Sequence, residues 1–232
     1  MPRNRLILLA GAAGVAVIVV VLVIVFAGSG GGSGSGATTS TSTTASSGSM
    51  FAGIPQHGET LGSPEAPATL TVFEDPQCPF CREWNLDTLQ TVIDNYVRPG
   101  KIKLVYRGIP IIGTNSIVGL LAIYAAGEQN KLWNMAEALY RIQGEENSGW
   151  ITTGAIREAA AAAGANANKI LASYRLKATI AKLNAAEQQA TASKVGGTPT
   201  FFILKPLGTP TQLQVPGLEP AQFTPVLDAA LQ

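Results

Sequence analysis

A chain of 232 residues is long enough for one compact domain with some appendage. Only 13% of its residues are charged, its net charge is +1, and its mean hydropathy is +0.22. So weak a charge gives no footing to a nucleic-acid partner or an acidic substrate, and without Arg3 and Arg5 the balance turns slightly negative. The two cysteines, Cys78 and Cys81, stand three positions apart. A stapled scaffold needs several pairs bridging distant segments, so these two can pair only with each other or with another molecule.

The apolar bias is concentrated at the N-terminus. Leu6 to Ala27 is an unbroken run of Leu, Ile, Val, Ala, Phe and Gly, which as a helix spans roughly 33 Å, the thickness of a bilayer's hydrocarbon core. Arg3 and Arg5 precede it and no charge follows before Glu59. The excess of cations on the leading side predicts a single-pass anchor in the cell membrane over residues 1–27. Its N-terminus would face the cytoplasm and the catalytic domain would be extracytoplasmic. A signal peptide cleaved after Val25-Phe26-Ala27 is the rival reading, but the run is longer than a typical signal core. Residues 28–49 are almost purely Gly, Ser, Thr and Ala. They predict a disordered linker with a reach of roughly 26 Å.

The folded domain is expected over residues 50–232. Thr69 to Phe73 reads as a buried strand. Pro79 then opens a helix whose apolar face recurs at Phe80, Trp84, Leu89, Val92, Ile93, Tyr96 and Val97, before Pro99-Gly100 stops it. Lys101 to Tyr106 alternates as a second strand. A helical block over about 114–194 divides into Ser116–Ala126, Asn130–Ile142, Thr153–Ala163 and Asn166–Lys194, the last broken near Arg175. Phe201 to Leu204 and Gln212 to Val215 read as a closing hairpin, followed by a helix from Pro220 to Leu231. This order of elements is an α/β layout with an inserted helical block.

Cys78-Pro79-Phe80-Cys81 carries the chemistry. A cysteine where a helix begins has its thiolate favoured by unpaired N–H groups and the positive end of the helix dipole. Cys81, one turn in, is expected to be better buried and placed to attack a mixed disulfide at Cys78. Pro79 fixes the first turn without wasting a donor. Zinc needs about four ligands, and the only other good donor is the lone His57, which reads as a loop histidine. No metal and no cofactor are expected, although two thiolates could hold Cu(I), which keeps a copper carrier or a redox-inert chaperone as rival readings.

The stretch Phe73-Glu74-Asp75-Pro76-Gln77-Cys78-Pro79-Phe80-Cys81, followed far downstream by Gly196-Gly197-Thr198-Pro199-Thr200-Phe201-Phe202, resembles the DsbA-like thioredoxin-fold proteins of bacterial cell envelopes. The resemblance spans about Ile54 to Gln232. It implies an α/β thioredoxin fold interrupted by a helical domain, with Pro199 in cis facing the cysteines and the Thr198 backbone open to an extended substrate peptide. It also implies catalysis by Cys78 and Cys81 on unfolded or reduced exported proteins. Reoxidation would come from a DsbB-like or vitamin K epoxide reductase-like membrane partner, or electrons would flow the other way in a reductase. Two positions depart from the pattern. Val72 stands where such folds often bury an acid that helps proton transfer from the second cysteine; Glu74 and Asp75 are expected to point differently, either assisting through water or leaving the protein to do without such an acid. Phe80 stands where strong oxidants often have His, which predicts a less oxidising couple.

Overall fold

The computed structural model describes residues 49–232. The anchor expected over residues 1–27, and all but the last residue of the linker expected over 28–49, lie outside them. Among the described residues no helix is long and apolar enough to cross a membrane.

The centre of the fold is β3 (Ala68–Glu74). Its even-numbered residues Leu70, Val72 and Glu74 are all fully enclosed, as strand alternation requires of a face turned to a core. β4 (Ile102–Gly108) runs parallel to β3 with Val72 opposite Tyr106 and Glu74 opposite Gly108. Its buried positions Ile102, Leu104 and Tyr106 are those of the expected face. β5 (Thr200–Leu204) runs antiparallel to β3 on the other side, with Phe73 opposite Thr200. The C-terminal end of β3 therefore meets the beginning of β5, so residues just after Glu74 and just before Thr200 arrive at the same pole of the sheet.

β1 (Gln56–His57) and β2 (Thr60–Leu61) form a short hairpin on the free edge of β4. The sequence reads this stretch as a loop, because two-residue strands carry no periodicity; Gly58, at φ +55°, makes the turn. At the opposite edge, the strand expected over Gln212–Val215 reduces to β6 (Thr211–Gln212). Pairing continues only through the Leu213 N–H to the Phe201 carbonyl (2.9 Å) and stops ahead of Pro216, which has no N–H to offer. The sheet order is β1-β2-β4-β3-β5-β6.

Between β3 and β4 a helical rod covers residues 79–97. It comprises α1 (Pro79–Glu83), a π-helical turn (Trp84–Thr88), α2 (Leu89–Val92) and a second π turn (Ile93–Val97). Gly100, at φ +75°, supplies the left-handed stop. Trp84 from this rod, Phe201 from β5 and Phe223 from α8 (Pro220–Leu231) form an aromatic cluster. The ring centroids lie 5.3 Å (Trp84–Phe201), 6.1 Å (Trp84–Phe223) and 4.8 Å (Phe201–Phe223) apart. Each ring is fully buried, so the cluster supplies several kcal/mol of apolar burial.

Five helices lie between β4 and β5: α3 (Thr114–Gly127), α4 (Leu132–Arg141), α5 (Thr153–Ala162), α6 (Ala167–Ser173) and α7 (Lys177–Ala192). The Asn166 side chain caps α6 by accepting from the Lys169 N–H (3.1 Å). The expected break near Arg175 falls where the Ser173 carbonyl accepts from the Leu176 N–H (3.0 Å) and the Thr179 hydroxyl (2.9 Å), which closes α6. Trp133, buried in α4, donates to the Glu59 carbonyl (3.0 Å) and packs edge-on against Tyr106. Arg107 reaches both Glu59 (3.3 Å) and Gln189 of α7 (2.6 Å), tying the insertion to the sheet.

Candidate active site

Cys78 occupies the position just before α1, with φ −72° and ψ 122°, and Pro79 is the first helical residue. Extended backbone at Cys78 followed by a fixed φ at Pro79 begins the helix at the thiol, as the motif predicts. Cys78 is 4% exposed and Cys81 fully enclosed. Thr198–Pro199 is a cis peptide, as the resemblance implied. It approaches the same pole from β5, and the Cys78 Sγ donates to the Thr198 carbonyl oxygen at 3.2 Å. Residues 120 positions apart thus meet through the β3–β5 register.

The two thiols are driven apart in acidity. The Cys78 thiol is lowered from 9.0 to about 6, above all by a hydrogen bond from the Cys81 side chain, which outweighs the opposing effect of burial. The Thr198 side chain and the backbone N–H groups of Cys81 and Phe80 add to the lowering. The helix terminus invoked from the sequence is therefore a contributor and the second cysteine the leading cause. Burial pushes the Cys81 thiol well above its ordinary value, helped by the Cys78 thiolate and the Glu74 carboxylate. The split favours the thiolate at Cys78 and keeps the fully enclosed Cys81 a thiol.

Phe80 departs from its expected place on the core face. It is 60% exposed because the first turn points it outward beside Cys78, and the buried face of the rod begins at Cys81 and Trp84. Ile109 is buried and Ile111 is exposed, so the apolar run after β4 divides between packing and surface.

Of the two acids, Glu74 differs from expectation and Asp75 does not. Glu74 is two residues beyond Val72 and shares its face of β3. It is fully buried, with Oε1 accepting from Asn85 Nδ2 (2.9 Å) and Oε2 from the Tyr140 hydroxyl (3.0 Å). Burial raises its pKa from 4.5 to about 8, against the lowering effect of those two donors, and the Cys78 charge adds to the rise. Asp75 turns the other way. Its carboxylate accepts from the Gln77 N–H (2.8 Å), the Ser116 hydroxyl (2.6 Å) and the Ile112 N–H (2.8 Å). That occupies Asp75 in fastening the loop before Cys78 to α3.

Other insertion residues hold the same loop. Gln143 donates to the carbonyls of Pro76 (2.8 Å) and Cys78 (3.0 Å). Gln77 donates to Ser116 (2.8 Å) and accepts from the Asn147 N–H (2.9 Å). Gly119 of α3 packs so closely that an added Cβ would lie 2.9 Å from the Pro76 ring. Asn85, Tyr140, Gln143 and Ser116 went unseen in the sequence because each is an ordinary polar residue brought in by packing. Glu74 had a signal: its parity with Val72. His57 lies exposed in β1.

A thioredoxin sheet interrupted by a helical insertion, with a two-cysteine motif opening the first helix and facing a cis-proline, places this chain in the thioredoxin-fold class. Comparison with known proteins narrows it. A family model described as Thioredoxin matches residues 56–205, and the chain belongs to that family. A stretch of 96 residues is 32% identical to the probable disulfide bond formation protein D of Bacillus cereus, and covers 40% of this chain and 44% of that one. The disulfide bond formation protein D of Bacillus subtilis is 26% identical over 102 residues, 43% of this chain and 46% of the relative. The matched stretch thus spans less than half the length of these curated relatives. Among solved structures, oxidised BdbD from Bacillus subtilis superimposes with a TM-score of 0.64 at 17% identity, covering 77% of this chain and 97% of that one. A thioredoxin-like oxidoreductase from Silicibacter pomeroyi superimposes at 0.58 with 27% identity, covering 76% and 91%.

Proposed function

We propose that this protein is a thiol–disulfide oxidoreductase that introduces disulfides into exported proteins through the Cys78–Cys81 pair. The observation that carries the reading is the split between the two thiols: Cys78, lowered to about 6, beside Thr198, with Cys81 raised and buried behind it. A substrate thiolate attacks the Cys78 sulfur of the oxidised pair, breaking the Cys78–Cys81 bond. The substrate's second thiolate then attacks its own sulfur in the mixed disulfide and expels Cys78. A sulfur with a low pKa leaves easily, which drives electrons toward the enzyme and favours the oxidase direction. The Thr198 and Pro199 backbone forms the wall against which the substrate lies, and exposed Phe80 offers an apolar contact beside it. The names of the Bacillus relatives agree with this direction.

In this reading the domain works outside the cytoplasm, tethered by the apolar N-terminal segment, and is reoxidised by a membrane quinone-linked partner of the DsbB-like or vitamin K epoxide reductase-like kind. The test is the reduction potential of the Cys78–Cys81 couple in the full chain, paired with oxidation of a reduced, unfolded protein. A potential toward about −120 mV with substrate oxidation supports the oxidase. One near about −270 mV makes the protein a reductase of the same fold. Failure to exchange with any thiol would leave only a binding role.

A further inference from the structure

Pro79 starts α1 in the right conformation, but it has no N–H to return to the carbonyl three residues behind it, as the closing residue of a turn would. That carbonyl belongs to Pro76, and no backbone N–H among the described residues reaches it. The donor comes instead from the helical insertion. Gln143 stands two residues past α4, and its Nε2 reaches the Pro76 carbonyl at 2.8 Å and the Cys78 carbonyl at 3.0 Å. Both amide hydrogens are thereby used, one on each side of Gln77, and two carbonyl partners fix which way the amide points. The Cys78 carbonyl also accepts the Arg82 N–H (3.1 Å), the first hydrogen bond of α1. Gln143 therefore holds the residue at which the helix begins and on which the reactive sulfur is carried.

The hold runs in both directions. The Tyr140 carbonyl, an acceptor left over at the end of α4, takes Arg82 Nε of α1 (3.2 Å) and the Gln143 N–H (3.3 Å). A cation at a helix C-terminus is favoured by the helix dipole. Directly after Gln143, Gly144 lies so close to Trp150 that an added Cβ would meet its ring at 2.8 Å. The backbone from which the Gln143 side chain projects is thus fixed on both sides.

We propose that Gln143 is a positioning residue of the redox pair: it fixes the Cys78 backbone, and through it the helical insertion sets the oxidising strength of the couple. The inference rests on the thiol–disulfide exchange proposed above and assigns that site one of the groups that tune it. With its backbone held, Cys78 presents its Sγ to the Thr198 carbonyl at 3.2 Å and to the N–H groups of the first turn of α1.

The partners that lower the Cys78 thiol are the Cys81 side chain, Thr198 and the N–H groups of Cys81 and Phe80. All act as hydrogen bonds, so a small displacement of the Cys78 backbone weakens them together. The titratable groups that bear on Cys78 are Cys81 of α1 and Glu74 of β3. Gln143 is neutral and its amide bonds to neither. Its influence therefore passes through backbone position and not through charge.

The test uses the full chain and takes three readings: the pH midpoint of Cys78 alkylation, the equilibrium of the couple with glutathione, and stability in urea. Gln143→Met keeps the length of the side chain and removes the donor. Its alkylation midpoint should rise by about one pH unit from the parent's value of about 6. At pH 7 the equilibrium with glutathione should then shift about five-fold toward the protein disulfide, or about 20 mV. Ser116→Ala loosens the same loop from α3 without touching the Cys78 backbone, so it should lower stability and keep the parent midpoint. Gln143→Ala, which can neither donate nor clash, replaces the Met variant if that one does not fold. An unmoved midpoint in a folded Gln143 variant, or an equal rise in Ser116→Ala, overturns the positioning role and leaves the oxidoreductase reading intact. Absence of exchange with glutathione in the parent overturns both readings together.

Discussion

The middle of β3 and the segment that leaves its C-terminal end are built on opposite principles. At its middle, Val72 lies opposite Phe201 and Tyr106, next to the aromatic cluster with Trp84 and Phe223. At its end, Glu74, Asp75 and Gln77 are just as buried yet are enclosed by hydrogen bonds to Asn85, Tyr140, Ser116, Ile112 and Asn147. The first region stabilises by excluding water. The second spends some of that stability on holding charge and protons near a reactive sulfur. Within about three residues one strand passes from scaffold to chemistry, and the helical insertion supplies the groups that make the second region tolerable.

The largest effect should come from the polar end. Cys78→Ala should abolish oxidation of a reduced protein substrate, because no other sulfur is near the rim. Cys81→Ala removes the partner sulfur, so Cys78 should accumulate mixed disulfides with small disulfides, seen as added mass. A Cys78→Ala protein that still oxidised substrate would end the comparison, since the polar region would then hold no chemistry. The scaffold end should break differently. Phe223→Ala removes a fully buried ring packed on Phe201 at 4.8 Å and should cost about 3–5 kcal/mol in denaturant titration. The remaining folded molecules should keep the Cys78 acidity of the parent, measured by the pH dependence of alkylation.

What could be read from the sequence follows the same division. The helix beginning at Pro79, the strand faces of Leu70 and Val72 and of Ile102, Leu104 and Tyr106, and the α6–α7 break are local patterns, so alternation and punctuation reveal them. The pairing of Cys78 with Thr198–Pro199 was legible only through resemblance, because 120 residues separate Cys78 from Thr198. The polar surroundings were not legible. Tyr140 reaches Glu74 from 66 positions away and Gln143 reaches Cys78 from 65, and helix packing leaves no sequence signature for such pairs. Glu74 departs from expectation for a different reason: a two-residue step from Val72 keeps it on the same face of β3, and only Asp75 alternates away. Phe80 departs from it because the apolar helical stripe runs one turn beyond the core, which begins at Cys81 and Trp84.

A third effect should appear as pH-dependent stability of the reduced protein. The folded Cys78 pKa is depressed from 9.0 to about 6, so its stabilisation is fully present above the unfolded value and is lost as pH falls through about 6. The full span corresponds to about 4 kcal/mol, an upper figure that denatured-state structure reduces. Glu74 acts with the opposite sign. Its folded pKa is raised, so its contribution is present below about 4.5 and is lost as pH rises through about 8. Between pH 6 and 8 the two slopes oppose each other and the reduced parent should show a shallow dependence. Urea titrations at pH 5, 7 and 9 should then separate them: Cys78→Ser should lose ground to the parent as pH rises above about 6, and Glu74→Gln should gain on the parent as pH rises toward about 8. Parallel curves for parent and both variants would mean that neither group titrates differently on folding.

The smallest effect isolates the insertion's part in the polar end. The Ser116 hydroxyl donates to the Asp75 carboxylate (2.6 Å) and accepts from Gln77 (2.8 Å), and all three residues are buried. Ser116→Ala leaves a carboxylate short of one donor and an amide short of its acceptor, a cost of about 1–3 kcal/mol in thermal or urea unfolding. Asp75 keeps two backbone donors, from Gln77 and Ile112, so the loop should stay in place. The Cys78 acidity should then be unchanged, because its causes lie at Cys81, Thr198 and the first turn of α1 and not at Asp75. A shift in that acidity on Ser116→Ala would show that the insertion reaches the thiolate through the loop. The two halves of the polar region, one holding a backbone and the other holding a proton, would then act as a single unit.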